Sequence, residues 1–239
     1  MEPIHCIGDS HVSFFSGTDR LVPVWPERSV DRLPFFRTYR VGPALAWNLG
    51  RLETTARGRE QTEEILRTAV PPGAPVLFLF GEIDCRYHLL KQAEKQGREV
   101  SELARECAEA YFHAAVAMAG ANRTGSVFFC TPPASSTKRM EGPCEAFPTT
   151  GSCVERNRVT GWFVERLGAL CEEAGIPFVN LYSPVVGRKT GRTLSRYYRD
   201  EVHLAQRAMP LALAALRRAW PAFDGRLPLS YRADRKSVV

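Results

Sequence analysis

Short apolar runs that end at glycine or at polar residues alternate along the chain with segments of helical periodicity. The apolar runs cover residues 3–8, 76–80, 127–130 and 177–181, and a further short strand is expected over residues 37–41. The helical patterns cover residues 61–69, 101–119 and 154–174. Runs that stay apolar throughout are typical of parallel strands that are covered on both faces. The alternation predicts an α/β fold, a three-layer α/β/α sandwich with a mainly parallel, flavodoxin-like sheet of about five strands.

The length of 239 residues is sufficient to bury one sizeable hydrophobic core. No internal repeat or linker divides the chain, so we predict one domain over residues 1–223. Residues 224–239 are locally basic and are expected to form a flexible tail; the basic residues there include Arg226, Arg232, Arg235 and Lys236. The stretch 131–153, rich in Pro, Ser, Thr and Gly, is too long for an ordinary connection and is expected to border a pocket.

Charge and hydropathy limit the partners that the chain can have. The formal net charge is +6, but lysine and arginine are interspersed with acidic residues and form no basic stripe. We therefore expect no nucleic-acid partner. No apolar stretch approaches the length of a membrane span, and nothing before Ile4 resembles a signal peptide. We expect a cytoplasmic protein, or an exported one whose leader has been removed. The expected partner is a small molecule, and the sequence does not specify the oligomeric state.

The seven cysteines are an odd number, and most lie in predicted strands or helices, where a free thiol packs as a small apolar group. This distribution favours a reducing compartment. Cys144 and Cys153 flank a loop and are the one pair for which we would test a disulfide.

Two distant motifs carry groups suited to nucleophilic catalysis. Gly8-Asp9-Ser10-His11 closes the first apolar run, and Asp200-Glu201-Val202-His203 lies near the other end of the chain. A serine hydroxyl is a weak nucleophile at neutral pH and needs a base within hydrogen-bond reach, oriented by a third group. Residues three apart on a turn can point the same way. We predict that Ser10 is a nucleophile, His203 its base and Asp200 the orienting carboxylate.

Each of these residues also has a purely structural interpretation. Ser10 can be the N-cap of a helix, and His203 can bond to a carbonyl at a helix start. The pairing of a strand-end serine with a distant Asp-x-x-His favours the catalytic interpretation. Pro210 is tolerated only near a helix start, so the last helix is predicted to begin near Ala208, which leaves His203 on a loop.

The motifs resemble, in order, the sequence blocks of the SGNH or GDSL hydrolase family. The matching blocks are Gly8-Asp9-Ser10-His11, the glycine Gly42, Gly81-Glu82-Ile83-Asp84 and Asp200-Glu201-Val202-His203. His11 stands where the commonest form of the first block has leucine, and is expected to shape the pocket or cap locally. The resemblance implies an esterase that uses a Ser-His-Asp triad and an acyl-enzyme intermediate, with no cofactor.

The resemblance also implies three donors to the oxyanion. They are the backbone amides of Ser10 and Gly42 and an asparagine side chain in the third block. Ile83 stands at the asparagine position and cannot donate. Loss of one such donor typically costs about 100- to 1000-fold in turnover.

Three side chains are candidates to replace the missing donor: Arg86, Asn48 and Arg40. Arg86 is the nearest in sequence, and an ion pair with Glu82 or a surface position is an equal alternative for it.

A metal site built from Glu82, Asp84, Cys85 and His88 is the other interpretation of the third block. Adjacent residues at a strand end point to opposite sides, and no spaced ligand cluster is present, so we predict no metal. Asp9 and Asp84 are instead expected to tie the strand-end loops together. No phosphate-binding glycine loop is found.

The leading hypothesis is a serine esterase or deacylase acting on a small-molecule ester, with a small acyl group such as acetyl preferred. An acyltransferase on the same site needs the same triad and stays open. A non-catalytic binding protein on the SGNH fold is the third hypothesis, motivated by Ile83, because a fold alone does not guarantee chemistry.

Overall fold

The computed structural model describes residues 2–135, 149–200 and 202–226. Its sheet has five strands, and every neighbouring pair is parallel. The strands are β1 (Ile4–Gly8), β2 (Phe36–Arg40), β3 (Val76–Leu79), β4 (Val127–Cys130) and β5 (Phe178–Val179). Their order, β2-β1-β3-β4-β5, is the flavodoxin-like order. The predicted fold class is confirmed.

Among the described residues, five α-helices accompany the sheet: α1 (Gly58–Thr68), α2 (Leu89–Gln96), α3 (Val100–Ala121), α4 (Cys153–Glu173) and α5 (Met209–Ala219). The three predicted helical segments correspond to α1, α3 and α4, and the last helix begins one residue after the predicted start. Sequence periodicity missed α2, because Leu89 is the one residue that this helix buries fully. None of the described helices combines the length and apolar composition needed to cross a bilayer.

Both faces of the central strands β3 and β4 are covered, which explains why these strands are apolar at every position. The edge strand β2 is partly exposed and contains two arginines. In β3, Phe78 packs into a core with Tyr111 of α3 and Phe163 of α4. Leu77, next to it, packs into a second core with Leu213 of α5. Because successive side chains of a strand point to opposite faces, only a run that is apolar at every position can serve both cores.

Some predictions fall wholly or partly outside the described residues. They include the pocket-bordering part of 131–153, most of the tail 224–239, and Cys144. The six described cysteines, Cys153 among them, are free thiols. The proposed extent of the domain stays a prediction.

Gly8 lies at the point where three strands meet. It pairs with Arg40 of β2 and Leu79 of β3, and its carbonyl accepts the N–H of Val41 at 2.8 Å. A Cβ at this position would overlap the carbonyl oxygen of Leu79. Glycine is therefore required here, and the close approach fixes the position of the residues that follow, Asp9 and Ser10.

Replacing Gly8 with alanine should lower the free energy of unfolding by roughly 1–3 kcal/mol, because the methyl group forces β1 and β3 apart. Gly120→Ala is the matched control: its Cβ would meet no atom within 4 Å at the end of α3, so the higher helix propensity of alanine should stabilise by up to about 1 kcal/mol. Urea denaturation measures both changes. Equal stability of Gly8→Ala and wild type would contradict the close-approach argument.

Candidate active site

Ser10 opens a short 3-10 turn, Ser10–Ser16, directly after β1. Asp9 is the N-cap of this turn, and its Oδ1 accepts the N–H of His11 at 2.9 Å. The N-cap role, which was the structural alternative for Ser10, thus belongs to Asp9. The Ser10 hydroxyl instead forms a hydrogen bond of 2.9 Å with Nε2 of His203.

His203 lies on a loop before α5 and is held there by Asp200. Its Nδ1 lies 2.9 Å from Oδ2 and 3.1 Å from Oδ1 of the Asp200 carboxylate. The same carboxylate accepts the backbone N–H groups of Val202 at 2.9 Å and of His203 at 2.7 Å. Asp200 therefore folds the turn that presents the imidazole and also orients the ring.

The electrostatics of this pair favour a neutral imidazole beside a charged carboxylate. Burial lowers the pKa of His203, and the hydrogen bond to Asp200 opposes that shift without cancelling it. Burial raises the pKa of Asp200, but the hydrogen bonds and charge of His203 outweigh it and hold that pKa well below its usual range. At neutral pH Nδ1–H donates to Asp200, which leaves Nε2 able to accept the proton of Ser10.

A second buried network lies against this relay. The His11 ring packs on the His203 ring, with centroids 4.8 Å apart and planes tilted by 32°. Nε2 of His11 is 3.3 Å from Oε2 of Glu82, whose Oε1 accepts Nε–H of Arg86 at 2.7 Å. Burial alone would raise the pKa of Glu82, but Arg86 and His11 lower it to about 2. Glu82 is a charged carboxylate with two partners, and one nitrogen of Arg86 is committed to it.

Two further buried carboxyl groups hold the backbone of the site. Asp9 caps the Ser10 turn, and Asp84 accepts the N–H groups of Ala46 at 2.8 Å and Trp47 at 3.2 Å. Burial raises the pKa of both Asp9 and Asp84 to about 7. The Asp84 contacts tie the loop after β3 to the loop after β2, as predicted. In the part of the chain that the structure describes, the Asp9 side chain bonds only within its own loop, so the same prediction is wrong for Asp9. Within the described ranges, no cluster of three or more His, Cys, Asp or Glu side chains is arranged to hold a metal ion.

A cavity of about 220 Å³ opens beside the Ser10–His203 pair. The other residues that line it include Arg40, Gly42, Pro43, Ile83, Arg86 and Val202. Two of the predicted oxyanion or substrate-binding residues, Gly42 and Arg86, are thus brought to Ser10. A larger groove of about 810 Å³ lies between α1 and α3 and contains none of the predicted site residues.

Asn48 is not brought to this cavity. It lies in the 3-10 turn Ala46–Asn48 and lines a separate cavity with Ala44 and Thr54. The hydrogen bonds from Ala46 and Trp47 to Asp84 fix that turn. They are long-range contacts that the local sequence does not display.

Two backbone amides are available to a developing negative charge. In the described part of the chain, neither the N–H of Ser10 nor that of Gly42 has a hydrogen-bond acceptor. Gly42 has φ of +77°, a left-handed conformation that favours glycine. Ile83 lines the cavity, is 5% exposed and offers no donor. Arg40, named from sequence only as a third alternative, lies at the end of β2 and does line the cavity.

No protein-family model and no curated protein matches the chain. A solved structure of a Streptococcus pneumonia protein, whose name refers to platelet activating factor, is 16% identical, with a TM-score of 0.50, over 91% of this chain and 84% of that chain. A member of the lipolytic protein G-D-S-L family from Veillonella parvula is 17% identical, with a TM-score of 0.49, over 92% and 98% of the two chains. Axe2, an acetylxylan esterase from Geobacillus stearothermophilus, is 17% identical, with a TM-score of 0.48, over 91% and 93%. At 16% identity the likeness to the Streptococcus pneumonia structure shows a shared fold.

The pKa of His203, measured by NMR titration of its imidazole, should lie below the ordinary value of 6.5. Asp200→Asn should lower it further, because the amide no longer stabilises the imidazolium by charge. Glu64→Gln removes the same charge from an exposed position on α1 and should leave the value unchanged. A His203 pKa that is unaffected by Asp200→Asn would show that the pair does not interact in solution.

Proposed function

We propose that this protein is a serine hydrolase of the SGNH type that cleaves carboxylic esters. The observation that carries the proposal is the continuous relay from Ser10 Oγ through the His203 ring to the Asp200 carboxylate, with both contacts at 2.9 Å. Residues 193 positions apart in the chain form the first of these contacts. A serine that only caps a helix and a histidine that only lies at the surface would not require these two contacts.

In the proposed mechanism Ser10 Oγ attacks the carbonyl carbon of the ester while Nε2 of His203 takes the hydroxyl proton. Asp200 stabilises the resulting imidazolium and keeps its Nδ1–H in place. The imidazolium then gives its proton to the leaving alcohol, which leaves an acyl group on Ser10. A water molecule, activated by the same Nε2, releases the acid. The lowered pKa of His203 keeps the base unprotonated at neutral pH.

The oxyanion of the tetrahedral intermediate is held by the backbone amides of Ser10 and Gly42 in this proposal. These donors are fixed before the substrate arrives, so little reorganisation opposes their interaction with the developing charge. Ile83 leaves the third position without a donor. The result is an oxyanion site of two amides beside an apolar wall.

The size of the cavity supports a small substrate. Its volume of about 220 Å³ is below the roughly 300–1,000 Å³ typical of drug-sized ligand sites. Pro43, Ile83 and Val202 give it apolar walls suited to a short acyl chain. A small acyl group such as acetyl fits this description.

Replacing Ser10 or His203 with alanine should reduce kcat/KM for an activated acetyl ester by at least about 1000-fold, because members of a triad act as a unit. Asp200→Ala should cause a smaller loss. Ser126→Ala, at an exposed serine before β4, is the matched control and should retain wild-type activity. Wild-type turnover in a folded Ser10→Ala variant would exclude the mechanism.

Replacing Ile83 with asparagine should raise turnover of the same ester by at least about 10-fold, because it restores part of the stabilisation that one donor supplies. Ile83→Leu, which changes shape but adds no donor, should not raise turnover. Steady-state kinetics of both variants, with thermal denaturation to confirm folding, make the comparison. If the asparagine variant is folded and no faster than the leucine variant, the third position is not part of the oxyanion site.

A further inference from the structure

Arg40 is a charged residue at the catalytic cavity that the proposed mechanism does not use. It is the last residue of β2, paired with Gly8 of β1, and it lines the same cavity as Ser10 and Gly42. Its guanidinium is partly withdrawn from solvent, since Nε is buried. Burial also lowers the pKa of Arg40 from its usual range, but an arginine stays charged at neutral pH.

Arg40 has no counter-charge in the described part of the chain. Its buried Nε has no hydrogen-bond partner, and the side chain forms no ion pair there. Glu82, the carboxylate that lines the same cavity, is already engaged with His11 and Arg86.

A partly buried charge without a partner is unfavourable, and proteins normally pair such a group or use it for a ligand. The planar guanidinium matches the geometry of a carboxylate or phosphate, with which it forms two parallel hydrogen bonds. Because Arg40 lies beside Ser10, an anion bound to it would belong to the molecule whose ester is cleaved.

We infer that Arg40 selects esters that carry an anionic group, a carboxylate or a phosphate, close to the scissile bond. The inference rests on the proposed function and extends it to a substrate class. The anion lies on the acyl side or on the alcohol side of the ester, and the test separates the two.

The test compares kcat/KM for matched anionic and neutral esters. On the acyl side, 4-nitrophenyl hydrogen succinate is compared with its methyl ester. On the alcohol side, 4-acetoxybenzoate is compared with methyl 4-acetoxybenzoate. The ratio of anionic to neutral kcat/KM is measured in the wild type and in three folded variants, Arg40→Met, Arg40→Lys and Arg37→Met. Arg37 is an exposed residue of the same strand and serves as the control.

In at least one pair the wild type should prefer the anionic ester, and Arg40→Met should lower the ratio by about 10- to 100-fold, as expected for a charged hydrogen bond. Arg40→Lys should retain part of the preference, because lysine keeps the positive charge but cannot form the two parallel hydrogen bonds of a guanidinium. Arg37→Met should leave the ratio unchanged. High salt should weaken the wild-type preference.

Three results overturn the inference. If the wild type shows no preference for the anionic ester in either pair, the inference is wrong, whatever the variants show. Equal loss of anionic and neutral turnover in Arg40→Met would make Arg40 an oxyanion donor instead. If neither the anionic nor the neutral esters are hydrolysed, the proposed function is wrong, and the inference is wrong with it. If the neutral esters are hydrolysed without a preference for the anionic ones, only the inference is wrong.

Discussion

The central position of β1, packed against β2 on one side and β3 on the other, determines where the polar residues of the site lie. Both faces of the sheet are filled by apolar cores, so polar groups gather beyond the carboxyl ends of the strands. Gly8 permits the close approach of β1 and β3 that makes this arrangement possible. Ser10 then emerges between the ends of β2 and β3, which supply Arg40, Gly42 and Ile83.

Beyond that edge, the site is organised by hydrogen-bonded pairs of ionisable side chains. Asp200 holds His203, and Glu82 holds His11 and Arg86. Glu82 is buried, where an unpaired carboxylate would be strongly unfavourable, so its two contacts fix both its position and its charge. Asp200 is more exposed and orients His203 through hydrogen bonds. Arg40 stands apart, because nothing in the described chain neutralises it. The same rule that explains the other charges therefore points to a group supplied by the substrate.

Most of the fold and part of the site could be predicted from the local sequence. The apolar central strands predicted the sheet, and Pro210 predicted the loop position of His203, since both follow from short-range constraints. The local sequence did not show that Arg40, and not Asn48, lies at the cavity beside Ser10. Asn48 is turned away by contacts of its 3-10 turn with Asp84, and Arg40 is aligned by strand register with Gly8. Both depend on contacts between distant segments.

The most direct test of the account is the covalent chemistry of Ser10. Intact-mass spectrometry after exposure to a fluorophosphonate, followed by peptide mapping, should show a single adduct on Ser10. The adduct should be absent in Ser10→Ala and should form much more slowly in His203→Ala, because the hydroxyl then lacks its base. A folded protein that leaves Ser10 unlabelled, or that is labelled equally fast without His203, would contradict the catalytic relay.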